Sequence, residues 1–370
     1  MVKQVSYKNF RSFKDFSLEL SPITMLTGNN SVGKTSVLEG LYCLFSASRI
    51  DVSYLPRIYK LPANLFTEFR RLPRVYNYKQ FWDECPYFGY ERCSVKAESE
   101  DGRWWEWSYK KANLHDIHNS EINPEIIKSN SFPIDMHTQF ALFNWKDGNS
   151  HSNDIEDFHN AQALIPDGGR YFISDLPQSK SNCFYFEFSK YGFDVLELSF
   201  DLARKLVSAL QIINPQVTDI RLKGLSGDFS VVLNDKIEVS LATLGHGSVI
   251  WVNALLSFLH IAEFAVKDKK QETMPPTLIL IDELGTGIHY SIMLNILEYI
   301  KNFRDQNPNI QFVFTSHSDD CIRAYCEVFS ESELAKVVRL HKKMDDVIVP
   351  TYYTKEYFEN IISDNWEVRG

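Results

Sequence analysis

Gly28-Asn29-Asn30-Ser31-Val32-Gly33-Lys34-Thr35 fills every fixed position of the pattern G-x-x-x-x-G-K-[ST]. The six residues before it, Pro22 to Thr27, are mostly apolar and β-prone. From Ser36 to Phe45 apolar residues recur at helical spacing. Strand, glycine loop and helix together aim backbone N–H groups and a helix N-terminus at one point, which suits a phosphate. Gly28 and Gly33 let the backbone curl tightly. Asn29, Asn30, Ser31, Val32 and Ser36 fill out the cradle, Lys34 brings a positive charge to the outer phosphates, and Thr35 offers a hydroxyl to a metal ion. The expected ligands are ATP and Mg²⁺.

Bulk properties narrow the class. A chain of 370 residues makes two or three domains, or one α/β domain with a large insertion. A net charge of −9 gives no bulk signature of a nucleic-acid binder, although a local basic groove is compatible with it. Six cysteines without a C-x-x-C pair argue against a disulfide framework or a zinc site. No apolar run approaches the length of a membrane span, and no apolar signal segment follows Met1. The expectation is a soluble, cytoplasmic protein.

A second motif completes the first. Thr277-Leu278-Ile279-Leu280-Ile281-Asp282-Glu283 is an apolar strand ending in two acids. Beside a phosphate loop, Asp282 holds the Mg²⁺ shell directly or through water. Glu283 takes a proton from the attacking water or orients that water. Leu284-Gly285-Thr286-Gly287-Ile288-His289 follows as a glycine-rich turn. His317 stands just past another apolar strand, in Thr315-Ser316-His317-Ser318, within reach of a γ-phosphate. Thr243, Gly245, Gly247 and Ser248 precede a long apolar helix and form a second anion-binding loop, one able to meet nucleotide held by another copy.

Alternating strands and helices around these motifs predict a mostly parallel sheet with helices on it. Residues 2–27 read as two strands, with Val5, Tyr7 and Phe10 alternating and Phe13, Phe16, Leu18 and Leu20 continuing the pattern. Asp101-Gly102 predicts a hairpin between Cys93–Glu98 and Trp104–Tyr109. Residues 112–160 look polar and loop-rich, and residues 51–199 as a whole read as an aromatic-rich, partner-contacting insertion between parts 1–50 and 200–370 of one head. Within that insertion Arg57, Lys60, Arg70, Arg71 and Arg74 interleave with aromatics, a pattern suited to nucleic-acid phosphate or to the acidic face of a protein.

These motifs, in this order, resemble the ABC-type ATPase heads of the RecF, SMC and OLD group. Tyr7-Lys8-Asn9-Phe10-Arg11-Ser12-Phe13 is similar to that group's opening strand, and Leu280-Ile281-Asp282-Glu283 with Gly287-Ile288-His289 and Thr315-Ser316-His317-Ser318 to its OLD-like branch. The resemblance covers roughly residues 1–50 and 200–370. It implies a P-loop NTPase fold with a parallel core sheet and an antiparallel β lobe. It also implies Walker A at 28–35, Walker B at 278–283, a signature loop at 243–248 and a switch histidine at 317. Two heads then close on two ATP molecules as a homodimer, or a higher homo-oligomer, each signature loop touching the other head's nucleotide. Gly245 stands where other heads of the group carry the signature serine, and Val249-Ile250-Trp251 stands where many OLD-like proteins are basic. Gln139, Gln162 and Gln178 are alternatives for the Q-loop glutamine.

Full OLD nucleases carry a TOPRIM domain after the ATPase. The residues beyond His317 are too few for one, and Asp319-Asp320 and Asp345-Asp346 read as cap and turn residues. The resemblance to small stand-alone OLD-like ATPases of anti-phage systems such as PARIS and Septu implies an ATPase switch controlling a separately encoded effector, a TOPRIM or HNH nuclease or another toxin. A RecF-like repair ATPase clamping DNA under ATP is the alternative. A scaffold that binds nucleotide without hydrolysing it fits poorly with an intact Glu283.

Overall fold

The computed structural model describes residues 1–46, 86–87, 89–112, 140–150, 159–166, 183–187, 200–223, 228–245, 248, 251–252, 254–255, 258–259, 277–286 and 288–363. The basic cluster Arg57, Lys60, Arg70, Arg71 and Arg74, together with Gly247, Gln139 and Gln178, lies outside them.

The core is a six-stranded sheet of β3 (Ile23–Gly28), β8 (Cys183–Glu187), β12 (Thr277–Asp282), β13 (Ile310–Thr315), β14 (Ala335–Lys342) and β15 (Ile348–Tyr353). Its order is β15-β14-β3-β13-β12-β8. The pairs from β14 to β8 are all parallel; only β15 runs antiparallel, at one edge. The strand before the phosphate loop thus lies between two strands from the far end of the chain.

β3, β12 and β13 are buried along their whole length, as near-continuous apolar runs in a parallel sheet demand. Alternation sorts their side chains onto two faces. Ile279, Ile281, Phe312 and Phe314 join one core with α2 (Phe200–Leu210), α3 (Tyr290–Gln306), α4 (Asp319–Val328), α5 (Lys355–Ser363) and the buried helical residues Trp251, Val252, Leu255 and Phe258. Leu278, Leu280 and Val313 face a second core, built on α1 (Lys34–Ser46).

That second core is closed by an antiparallel sheet of order β2-β1-β4-β5-β6-β7. Its strands are β1 (Val2–Phe10), β2 (Phe13–Glu19), β4 (Arg92–Ser99), β5 (Arg103–Ala112), β6 (Phe140–Asn149) and β7 (His159–Pro166). Tyr7, Phe10, Phe13 and Trp107 cover Val37, Leu38 and Leu41 of α1. A buried Gln311 side chain on β13 joins the two sheets, accepting from the Val2 N–H at 3.0 Å and donating to the Val2 and Ser21 carbonyls. A three-stranded sheet, β9 (Val217–Lys223), β10 (Asp228–Leu233) and β11 (Ile237–Ser240), leads into a 3₁₀ turn at Leu241–Leu244.

The 93–109 hairpin pairs as expected, Cys93 opposite Tyr109. The loop-rich reading of 112–160 needs correction, because β6 and the start of β7 lie there. Their residues are polar, but the backbone register sets Lys146 opposite Glu106 and Asn144 opposite Gln162. Strands from within 51–199 complete both large sheets, so this stretch is woven into the head rather than set apart from it.

Candidate functional site

The phosphate loop leaves β3 at Gly28, whose φ is +127°. An added Cβ there would lie 2.2 Å from the Leu340 carbonyl oxygen of β14, so the sheet itself excludes a side chain. Gly33, at φ +90°, is pressed from the other side: a Cβ would meet the Phe13 ring and the Ser12 hydroxyl at 2.6 Å. Between them Ser31 adopts φ +66°. Sheet and antiparallel lobe therefore clamp the loop from opposite sides.

Lys34 opens α1 and is only 5% exposed. Its Nζ donates to the Gly28 and Asn29 carbonyls, both at 2.7 Å, folding the loop around its own cation. Burial lowers its pKa to about 8, against the opposing pull of Asp282 and then Glu283. A bound triphosphate favours the charged amine and raises that pKa again. Nucleotide affinity is therefore expected to be level below pH 8. Above it, affinity should fall by about tenfold per pH unit as the empty site loses its proton. Titration with a fluorescent ATP analogue from neutral to alkaline pH reads this out, and Lys34→Arg should flatten the profile.

Thr35 donates to both Asp282 oxygens, at 3.3 and 3.1 Å. Thr315, at the end of β13, also donates to Asp282, and it accepts from the Glu283 N–H at 2.8 Å. Its carbonyl accepts from Leu284 N–H at 2.8 Å. Glu283 is exposed and held at φ +55°, a conformation that ordinary residues adopt only under constraint. Thr315 supplies that constraint. Asp282 stays buried and aimed at Thr35, while Glu283 turns outward.

A cavity of about 460 Å³ opens beside the phosphate loop, lined by Ser31, Gly33, Lys34, Thr35 and Ser36, by His317, and by Arg11 and Ser12; Asp282 and Glu283 are not among its lining residues. The structure thus brings His317 to the phosphate loop, where it is exposed. Arg11 and Ser12 were quoted only as part of a strand; the turn between β1 and β2 makes them a wall of the cavity. Arg11 is fixed by a buried ion pair, Nε to Glu39 Oε2 at 3.0 Å, which ties this turn to α1. Positive φ at Asn9 and Arg11 marks the turn, and no local motif announces it.

The residues fit Mg²⁺-ATP. The Ser12 Oγ is buried in the wall without a hydrogen-bond partner, and a phosphate or ribose oxygen would satisfy it. Thr35 and Asp282 converge as one hydroxyl and one carboxylate. Among the described residues no group of three or more His, Cys, Asp or Glu forms a metal cage. That pattern suits a hard cation that takes its remaining oxygens from substrate and water. When bound, Mg²⁺ neutralises charge on the phosphate oxygens.

The second loop is only partly at the surface. Thr243 and Gly245 are exposed, and a Cβ on Gly245, at φ +99°, would meet nothing within 4 Å. Ser248 is buried instead, its hydroxyl donating to the Leu244 carbonyl at 3.2 Å. None of these residues lines the cavity of their own chain.

The chain is similar to several known proteins. A family model described as AAA ATPase domain matches residues 1–182. Another, described as AAA domain, putative AbiEii toxin, Type IV TA system, matches residues 96–321. A relative named ATP/GTP phosphatase, from Helicobacter pylori (strain ATCC 700392 / 26695), is 24% identical over 406 residues, with 97% of this chain and 98% of the relative covered. Among solved structures, one titled as the recombination mediator RecF-ATPrS in the RecFOR pathway aligns at TM-score 0.42 and 11% identity, over 95% of this chain and 98% of that one. No described helix is long and apolar enough to cross a membrane. With its phosphate loop, acidic strand end and clamped lysine, the chain belongs to the AAA-domain family described as putative AbiEii toxin, Type IV TA system, and it is a P-loop ATPase.

Proposed function

We propose that this ATPase works as a switch subunit whose pocket is completed by a second copy. Residues 28–36 hold the triphosphate in this reading, Asp282 and Thr35 hold its metal, and Glu283 accepts or orients the proton of the attacking water. His317 reports the γ-phosphate. The observation that carries the reading is the position of Thr243 and Gly245, exposed and absent from their own chain's cavity, with open space over Gly245. A loop of that shape suits contact with nucleotide on a facing head.

Hydrolysis then separates the heads and releases or licenses a separately encoded effector, a nuclease or toxin, in a defence complex. The matched family's description as a putative toxin of a Type IV TA system supports a role in a toxin system. Sedimentation of the full chain with and without ATP, alone and with the product of the adjacent reading frame, tests both halves. ATP should double the mass, and the neighbour's product should co-sediment. A chain that stays monomeric with ATP ends the two-headed reading; a neighbour that never co-sediments ends the effector reading.

A further inference from the structure

A second cavity, of about 510 Å³, lies between the phosphate-loop residues Asn29 to Val32 and the β14–β15 hairpin, whose residues have no role in the site described above. Its floor is the outer face of the β14–β15 hairpin. Arg339 and His341 alternate along β14, and Thr351 and Tyr353 along β15, with Arg339 directly opposite Thr351. Lys342 is exposed at its edge, and Asn29, Asn30, Ser31 and Val32 of the phosphate loop form the facing wall. The cleft sits at the carboxyl ends of β3 and β14, where parallel sheets accept ligands.

Its chemistry is one-sided. In a chain of net charge −9, the described residues that line this cleft include an arginine, a lysine and a histidine and, among the described residues, no carboxylate. Lys342 has an acid, Asp346, 3.6 Å away in the exposed hairpin turn, outside the lining. Thr351 and Tyr353 bring hydroxyls, and Asn30 brings an amide. Cations and neutral donors around a volume well above that of one inorganic anion call for a phosphate attached to something larger. Tyr353 gives the attached group an aromatic neighbour; its ring already meets Tyr357 edge-on at 6.1 Å between centroids. Ser31 lines both this cleft and the ATP cavity, so the two sites share one wall.

We propose that this cleft binds a nucleoside phosphate other than the hydrolysed nucleotide, either free or at the end of a single strand. The test uses the full chain with its phosphate-loop site saturated by Mg-ADP. The probe is a fluorescein-labelled pentathymidylate carrying a 5′-phosphate, with dTMP as competitor. Saturable binding is expected, weakened about tenfold or more by Lys342→Glu and by Arg339→Gln, with Mg-ADP binding retained as proof of folding. Displacement by dTMP identifies a free mononucleotide as sufficient, and binding that dTMP cannot displace identifies a strand end. If β14 does not tolerate Arg339→Gln, the exposed Lys342→Glu carries the test. Absence of probe binding to the wild-type chain, or equal binding by folded Lys342→Glu, overturns the proposal.

Discussion

Glu283→Gln should bind ATP as tightly as the wild-type chain and turn it over about 10²–10⁴-fold more slowly, the usual contribution of a positioned general base. The geometry separates the two acids at the end of β12. Asp282 is buried and bonded to Thr35 and Thr315, so its replacement would disturb the cradle itself. Glu283 is exposed, and the contact that fixes it runs through its backbone N–H to Thr315. An amide side chain leaves that contact intact and keeps the size of the carboxylate. It removes the proton acceptor. Glutamine should therefore lower turnover alone. Equilibrium binding of a fluorescent ATP analogue beside single-turnover phosphate release distinguishes the effects. Hydrolysis by the variant at the wild-type rate would remove Glu283 from the mechanism.

The second large effect is a rescue. Lys34→Ala disables the phosphate loop and leaves residues 243–245 intact. Gly245→Arg does the reverse, placing a long cation where open space now lies. Each variant alone should be nearly inactive. Mixed in equal amounts, they should recover roughly a quarter of wild-type turnover, because half of random pairs carry one intact composite site of two. Titrating one variant into the other and following phosphate release measures this. A mixture no more active than its parts would mean that each chain hydrolyses ATP without its neighbour's loop. Full activity in Gly245→Arg alone would mean the same.

How much of this was legible in the sequence depends on how local each feature is. The phosphate-loop pattern is eight consecutive residues, and its flanks show a change of period from strand to helix, so the strand, loop and helix could be read directly. Asp282 and Glu283 end an apolar run, which fixed their place on a strand but not their different orientations; those come from Thr315, more than thirty residues away on β13. Arg11 and Ser12 carried no local signal, because what makes them cavity residues is the fold of the β1–β2 turn over Gly33. Strand β6 was hidden by Asn144, Lys146, Asp147 and Gly148, which carry no strand signal and whose backbone pairs only once β5 and β7 lie alongside. β8 showed its aromatic strand character in Phe184-Tyr185-Phe186. Its parallel pairing with β12 joins segments almost a hundred residues apart and left no trace in either. Ser248 was grouped with Thr243 and Gly245 by proximity, whereas the turn into the following helix points its hydroxyl inward.

The placement of β3 between β13 and β14 carries a consequence for how the chain is made. Residues 23–28 are synthesised before both of their neighbours, which follow at 310–315 and 335–342. At ordinary elongation rates the nascent P-loop strand waits on the order of 15–60 s before both of its backbone edges are paired. A newborn chain in that interval is a natural client for holding chaperones, and a premature stop anywhere before β14 releases a fragment whose exposed strand invites aggregation rather than a weakened enzyme.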